Sequence, residues 1–196
     1  MDGHQKKAEW HNQWRDQGQC FYDYMYENIM DWPVTSLQWG GILQSDSEKV
    51  FQRLFFSCRT DGIFGNDGLW QNTPNMIILS SVELPYEGYY FINEMKSLFN
   101  HDTAKKHPNM KIRTVILHPG EVTVIRSCPS VRKILASKTD TNEVYIWNSD
   151  RYKTLTSSHP HQPDMTLRTL KSDRPNYALR FSPTLQRIIS ASGDHI

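Results

Sequence analysis

No charge of either sign dominates this sequence: 22 Lys and Arg stand against 21 Asp and Glu, for a net charge of +1. A chain that holds nucleic acid by itself carries a basic excess or a basic stripe. The densest basic spot is Lys105-Lys106, so direct nucleic-acid binding is not expected. Cysteine is scarce, and Cys20, Cys58 and Cys128 are widely spaced without a CxxC pair, the usage of a reducing, intracellular compartment. The N-terminus, Met-Asp-Gly-His-Gln-Lys-Lys, has no apolar leader. The longest apolar runs, such as Met76-Ile77-Ile78-Leu79, are far too short to cross a bilayer. A soluble protein with no membrane partner is the expectation.

Catalytic signatures are missing as well. Gly62, Gly65 and Gly68 are not followed by Gly-Lys-Ser/Thr, so they make no phosphate loop. There is no Gly-x-Ser-x-Gly elbow and no His-Glu-x-x-His. His159 and His161 flank Pro160 without a nearby cysteine, which reads as loop histidines rather than a zinc site. Neither enzymatic activity nor a cofactor is expected.

What is present begins with aromatic residues at helical spacing. Trp10, Trp14, Phe21, Met25 and Ile29 recur at intervals of four, seven, four and four, which predicts one amphipathic helix over residues 5–31. Gly18 weakens it by about 1 kcal/mol relative to Ala. Pro33 ends it, because the residue before a proline is pushed out of the helical region. From Val34 the pattern changes to short strands, 34–39, 52–58, 75–84 and 111–117. Turn-rich sequence fills 60–75, and a polar connection occupies 85–110, long enough to read as a surface excursion.

An internal repeat decides the architecture. Residues 128–140, Cys-Pro-Ser-Val-Arg-Lys-Ile-Leu-Ala-Ser-Lys-Thr-Asp, align without gaps on residues 182–194, Ser-Pro-Thr-Leu-Gln-Arg-Ile-Ile-Ser-Ala-Ser-Gly-Asp, at an offset of 54. A strand-like run precedes each copy, 121–126 and 177–181, and a strand ending in Trp147 follows the first. Strand, proline turn, apolar strand, aspartate turn and strand ending in tryptophan is the order of a four-stranded propeller blade.

At these residues the sequence resembles the histone-binding WD-repeat family, which includes the retinoblastoma-binding proteins and the small subunit of chromatin assembly factor. Phe21-Tyr22-Asp23 through Met30-Asp31-Trp32-Pro33, with Leu37-Gln38-Trp39, is similar to that family's N-terminal histone-binding segment. His118-Pro119-Gly120-Glu121-Val122 resembles the opening of its second repeat, and Thr139-Asp140 with 144–147 the continuation. Residues 52–57 with Thr60-Asp61-Gly62 resemble the plant FVE-like subgroup.

The resemblance implies an all-β fold with one N-terminal α-helix, part of a seven-bladed WD-repeat β-propeller. About two and a half blades are expected: blade one near 34–117, blade two near 118–170 and a partial blade three near 171–196, after a helix segment at 1–33. It implies a nuclear scaffold, with the cytoplasm as a second location. The implied partners are histones H3 and H4 and the subunits of deacetylase, Polycomb-type or chromatin-assembly complexes.

Phe21, Tyr22, Met25 and Ile29 are placed by the resemblance at or near a groove for a histone helix, where apolar anchors framed by Asp23, Glu27 and Asp31 would meet a basic partner. The competing reading is that these side chains only pack on the propeller. Glu121 is placed in an acidic ring that receives the basic tail of H3, which suits a carboxylate able to pair with arginine. Its competing reading is a solvated strand-end glutamate.

The sequence departs from the family at Thr123, at Trp147-Asn148, and around Lys171-Ser172-Asp173, where a Gly-His pair is expected. That leaves Asp140 and Asp194 in want of a histidine partner. The second copy halts mid-blade, so the reading expects an open propeller whose 38% hydrophobic content leaves faces to be covered by neighbours. Histone binding impaired by truncation follows as an expectation. A ubiquitin-ligase substrate adaptor and a non-functional fragment are the alternatives. The adaptor motif Trp-Asp-x-Arg is not met by residues 147–151.

Overall fold

The computed structural model of the chain describes residues 9–10, 12–14, 17, 28–64, 70–85, 110–139, 143–152, 160–168, 178–184 and 187–191. Strand β1 (Val34–Ser45) turns into β2 (Lys49–Cys58) at Asp46, whose carboxylate accepts the backbone N–H of Glu48 and Lys49 at 2.9 and 2.7 Å. A two-residue pair, β3 (Ile63–Phe64) with β4 (Trp70–Gln71), precedes β5 (Met76–Pro85) and β6 (Met110–Leu117). The four long strands form an antiparallel sheet in the order β1-β2-β5-β6. The second sheet runs β10-β9-β8-β7, from β7 (Val122–Ser127), β8 (Ile134–Thr139), β9 (Glu143–Asn148) and β10 (Met165–Arg168). The third pairs β11 (Ala178–Phe181) with β12 (Ile188–Ala191). The architecture is a partial β-propeller.

Alternation along the strands gives each sheet two faces. Phe55, Ile77, Leu79 and Ile116 of the first sheet meet Val122, Ile125, Leu135, Tyr145 and Trp147 of the second in one buried cluster. The other face of the second sheet, Val124, Ala136 and Val144, buries Leu179 of the third, with Phe181 and Ile188 packed beside it. Each sheet thus hides its apolar faces only because another lies against it, as propeller blades require.

The inner strands β1 and β7 lie side by side and are stitched by side chains. Thr35 Oγ1 donates to the Val122 carbonyl at 2.8 Å, and the Ile125 N–H donates to Ser36 Oγ at 3.0 Å. Ser127 Oγ donates to the Trp39 carbonyl and Arg132 Nη1 to that of Ile42, both at 3.0 Å. Arg132 lies across Gly41, where a Cβ would stand 2.8 Å from its Cγ and Cδ.

The N-terminal segment differs from its sequence reading. Residues 9–10, 12–14 and 17 are helical, but 28–32 are not, so the helix does not run to Asp31. Met30 and Trp32 pack on the outer face of the first sheet, against the cluster of Leu54, Phe56, Cys58, Ile78, Val82 and Val115. Ile29 and Asp31 alternate with them on the solvent side. That two-residue alternation belongs to extended chain, and burying Met30 and Trp32 outweighs the helical spacing that ended at Ile29. Trp10 and Trp14 are helical, one turn apart, and 77% and 54% exposed.

Two further differences concern strands. Met165–Arg168 forms a strand that no sequence signal marks, since four residues with only Leu167 part-buried show no usable alternation. The repeat also does not hold without gaps. Ile125 pairs with Ser137, and Leu179 pairs with Ser190. The offset is therefore 54 in the first strand of the hairpin and 53 in the second. The turn bonds agree: Cys128 N–H donates to the Ile134 carbonyl, but Ser182 N–H donates to that of Arg187. A one-residue slip exchanges the faces of a strand, and it turns Ile188 onto the second sheet and leaves Ile189 61% exposed. Most of the 85–110 connection lies outside the described residues.

Candidate functional site

The proposed histone contacts fall into two groups in the structure. Phe21, Tyr22 and Met25 lie outside the described residues. Ile29 is 86% exposed on the extended segment. Beside it, the Asn28 side-chain amide lies 3.8 Å from both Met30 Sδ and Met110 Sδ. Ile29 therefore stands clear of the sheet that its neighbours Met30 and Trp32 grip. Those two anchors were not singled out from the sequence. The signal that could have found them is the proline after Trp32, which favours an extended residue before it.

Glu121 precedes β7 and is half-buried. Its carboxylate pairs with Arg59 Nε at 3.2 Å, across from the end of β2. The Arg59 N–H in turn donates to the Pro33 carbonyl at 2.9 Å. Glu121 is thus neither a free acid nor an ordinary solvated strand end, since it joins the first two sheets. Arg59 stays mostly in solvent, and such pairs contribute about 1 kcal/mol or less. A cationic ligand can therefore compete for the carboxylate at small cost.

Just before Glu121 is a histidine whose role the sequence reading missed. His118 is fully buried, with Nδ1 2.8 Å from the Gly120 carbonyl and Nε2 2.9 Å from Ser137 Oγ. Trp147 Nε1 donates to the same Ser137 oxygen at 2.8 Å. A neutral imidazole protonated at Nδ1 satisfies every one of these contacts: it donates to Gly120, accepts the Ser137 hydroxyl, and leaves that oxygen to accept from Trp147. Burial pushes the His118 pKa down to about 4, against a smaller upward effect of the Gly120 bond.

The histidine missing near residues 171–173 therefore does not leave this blade without one. Ser137 and Trp147 take theirs from the loop that enters their own blade. Asp140 and Asp194 lie outside the described residues.

A second histidine ties the sheets at their outer rim. His161 Nδ1 accepts the Leu117 N–H at 2.9 Å, and the His161 N–H donates to the Leu117 carbonyl at 2.8 Å. Its ring stands edge-on to Tyr152, which stands edge-on to Trp147. An open cleft of about 620 Å³ lies beside it, lined in part by Pro119, Glu143, Tyr145, Pro163 and Arg168. Glu143 in that cleft is held by Arg168 at 3.3 Å and by the Tyr145 hydroxyl. No group of three or more His, Cys, Asp or Glu suited to a metal ion occurs among the described residues. Cys58 is buried, which pushes its thiol pKa up and away from nucleophilic use.

An extended N-terminal anchor on the first sheet, followed by blades tied through His118, Ser137 and Trp147, can be compared with known proteins. A family model describing histone-binding protein RBBP4, or its equivalent in the CAF1 complex, matches residues 9–86. This chain belongs to the histone-binding WD-repeat family. It is 30% identical over 190 residues to the WD-40 repeat-containing protein MSI4 of Arabidopsis thaliana, an alignment covering 95% of this chain and 35% of that protein. It is 27% identical over 157 residues to the histone acetyltransferase type B subunit 2 of Encephalitozoon cuniculi (strain GB-M1), covering 79% of this chain and 36% of that protein. The chain thus spans about a third of the length of these curated relatives. The family match takes in the helical residues, Ile29 with its two anchors, and β1 through β5.

Proposed function

We infer that this chain is a nuclear histone-binding scaffold of chromatin-modifying or chromatin-assembly complexes, and that it carries out no catalysis. The observation that carries the reading is the family match across the N-terminal segment, joined to the way Met30 and Trp32 seat that segment on the first sheet while Ile29 remains exposed. An apolar side chain standing out beside a fixed anchor is what a partner helix can bury. Histone H4 would be received along this segment through Phe21, Tyr22, Met25 and Ile29. The tail of H3 would compete with Arg59 for Glu121. Complexes of the deacetylase, Polycomb-type and assembly classes are the proposed setting.

By itself the 196-residue chain supplies one wall of such a groove. If a second wall contributes on the order of 4 kcal/mol, its loss lowers affinity about a thousandfold. Titration of the chain with an H4 helix peptide, followed by calorimetry, tests this. Binding in the micromolar range or weaker is expected, with Ile29→Asp reducing it about tenfold. Submicromolar binding by this chain alone would refute the one-walled groove, and binding indifferent to Ile29→Asp would refute the contact.

A further inference from the structure

The seam between the second and third sheets carries positive charge for which the described residues provide no acid. Lys138 is fully buried there. Its Nζ donates to Ser190 Oγ at 2.7 Å, the Ala191 carbonyl at 2.8 Å and the Ala178 carbonyl at 3.5 Å. Arg126 lies on the same face of the second sheet, paired across the ladder with Ala136, two residues from Val124. Arg180 is its repeat counterpart, 54 residues on, at the matching position of β11, which lies alongside β7.

The state of Arg126 shows the strain. Its Nη1 donates to the Ile125 carbonyl at 2.7 Å, whereas Nε is buried with no acceptor. Desolvation and then the nearby charge of Arg180 hold this guanidinium below the usual arginine range. None of the three cations forms an ion pair among the described residues, although five such pairs occur elsewhere. A buried charge is ordinarily paired, because leaving it unpaired costs several kcal/mol.

We propose that this inner seam is an anion site that takes a phosphate-type dianion, held by the guanidinium groups of Arg126 and Arg180 with Lys138 beneath. Two positive groups call for two negative charges. The guanidinium fork matches the oxygens of a phosphate better than it matches a halide or a neutral amide. The source is either free phosphate or a phosphorylated side chain, which share this chemistry. The site is separate from Ile29 and Glu121, so it stands or falls independently of histone binding.

Thermal unfolding of the full chain in 10 mM inorganic phosphate, against chloride at matched ionic strength, tests the site. A rise in midpoint of about 5 °C is expected for ligand well above its dissociation constant. Arg180 is exposed, so Arg180→Gln should fold, should have an equal or higher midpoint in chloride, and should lose the phosphate effect. Arg180→Lys should keep part of it. A phosphoserine tripeptide against its serine form then separates the sources. A shift with phosphate alone assigns free anion, and a shift with both phosphate and phosphopeptide assigns a side chain. No shift with phosphate, a shift that survives in Arg180→Gln, or an equal response to an unphosphorylated acidic peptide overturns the proposal.

Discussion

Ser137→Ala removes a single oxygen, yet it should be among the more damaging small substitutions in this chain. Ser137 is fully buried, and its hydroxyl is the one atom joining His118 Nε2 at 2.9 Å to Trp147 Nε1 at 2.8 Å. Without it, a buried acceptor and a buried indole N–H lose their partners. Each group left so costs about 1–3 kcal/mol, for a total of about 2–5 kcal/mol. A domain has about 5–15 kcal/mol of stability in all, so a large part of it is at stake. Urea unfolding of the full chain at pH 7, followed by far-ultraviolet circular dichroism, measures the loss. Trp147→Phe supplies the control, because it removes the indole donor that Ser137→Ala orphans. The double variant should therefore be more stable than the two separate costs imply, by about 0.5–3 kcal/mol. A cost below about 0.5 kcal/mol for Ser137→Ala, or strict additivity in the cycle, would show that no coupled network exists.

Acid should act on the same place. The folded His118 pKa is depressed to about 4 from 6.5, so the unfolded chain takes up its proton first as pH falls. Its contribution, about 3 kcal/mol, is complete above pH 6.5 and is lost progressively down to about pH 4. Urea midpoints between pH 7 and pH 4.5 should follow this course in the native chain and flatten in His118→Gln, and equal slopes would reject it. Gly62→Ala should destabilise by more than about 2 kcal/mol, on the scale of backbone clashes, because a Cβ there would stand 2.0 Å from the Thr73 carbonyl oxygen. Calorimetric unfolding checks this, with a change under about 0.5 kcal/mol counting against it. Glu121→Gln should alter stability by about 1 kcal/mol or less while weakening binding of an H3 tail peptide severalfold. An unchanged affinity would remove Glu121 from that surface.

Much of the architecture was legible because it depends on local period. Strands such as β5 and β9 alternate or run apolar over a few residues, and the paired Pro129 and Pro183 turns mark a repeated unit. A repeat is visible in sequence whenever successive units solve the same packing problem with the same residues. The motif around Glu121 could be read for the same reason, as a short contiguous run. Its ion pair with Arg59 could not, since 62 positions separate two residues that only the stacking of sheets brings to 3.2 Å.

The amino-acid order alone determined that this chain is built from short antiparallel strands, in units recurring about every 54 residues, behind a helix rich in aromatic side chains. Tertiary packing decided where that helix stops. Met30 and Trp32 find an apolar sheet to cover, and extended chain is the only way to place both on it. Packing also decided that β12 pairs one residue out of step with the repeat, because register answers to which side chains a neighbouring sheet buries. It gathered His118, Ser137 and Trp147 into one buried network, and Lys138, Arg126 and Arg180 into one seam. Periodicity encodes what a strand is, but the burial of polar groups depends on distances across sheets that no stretch of sequence contains.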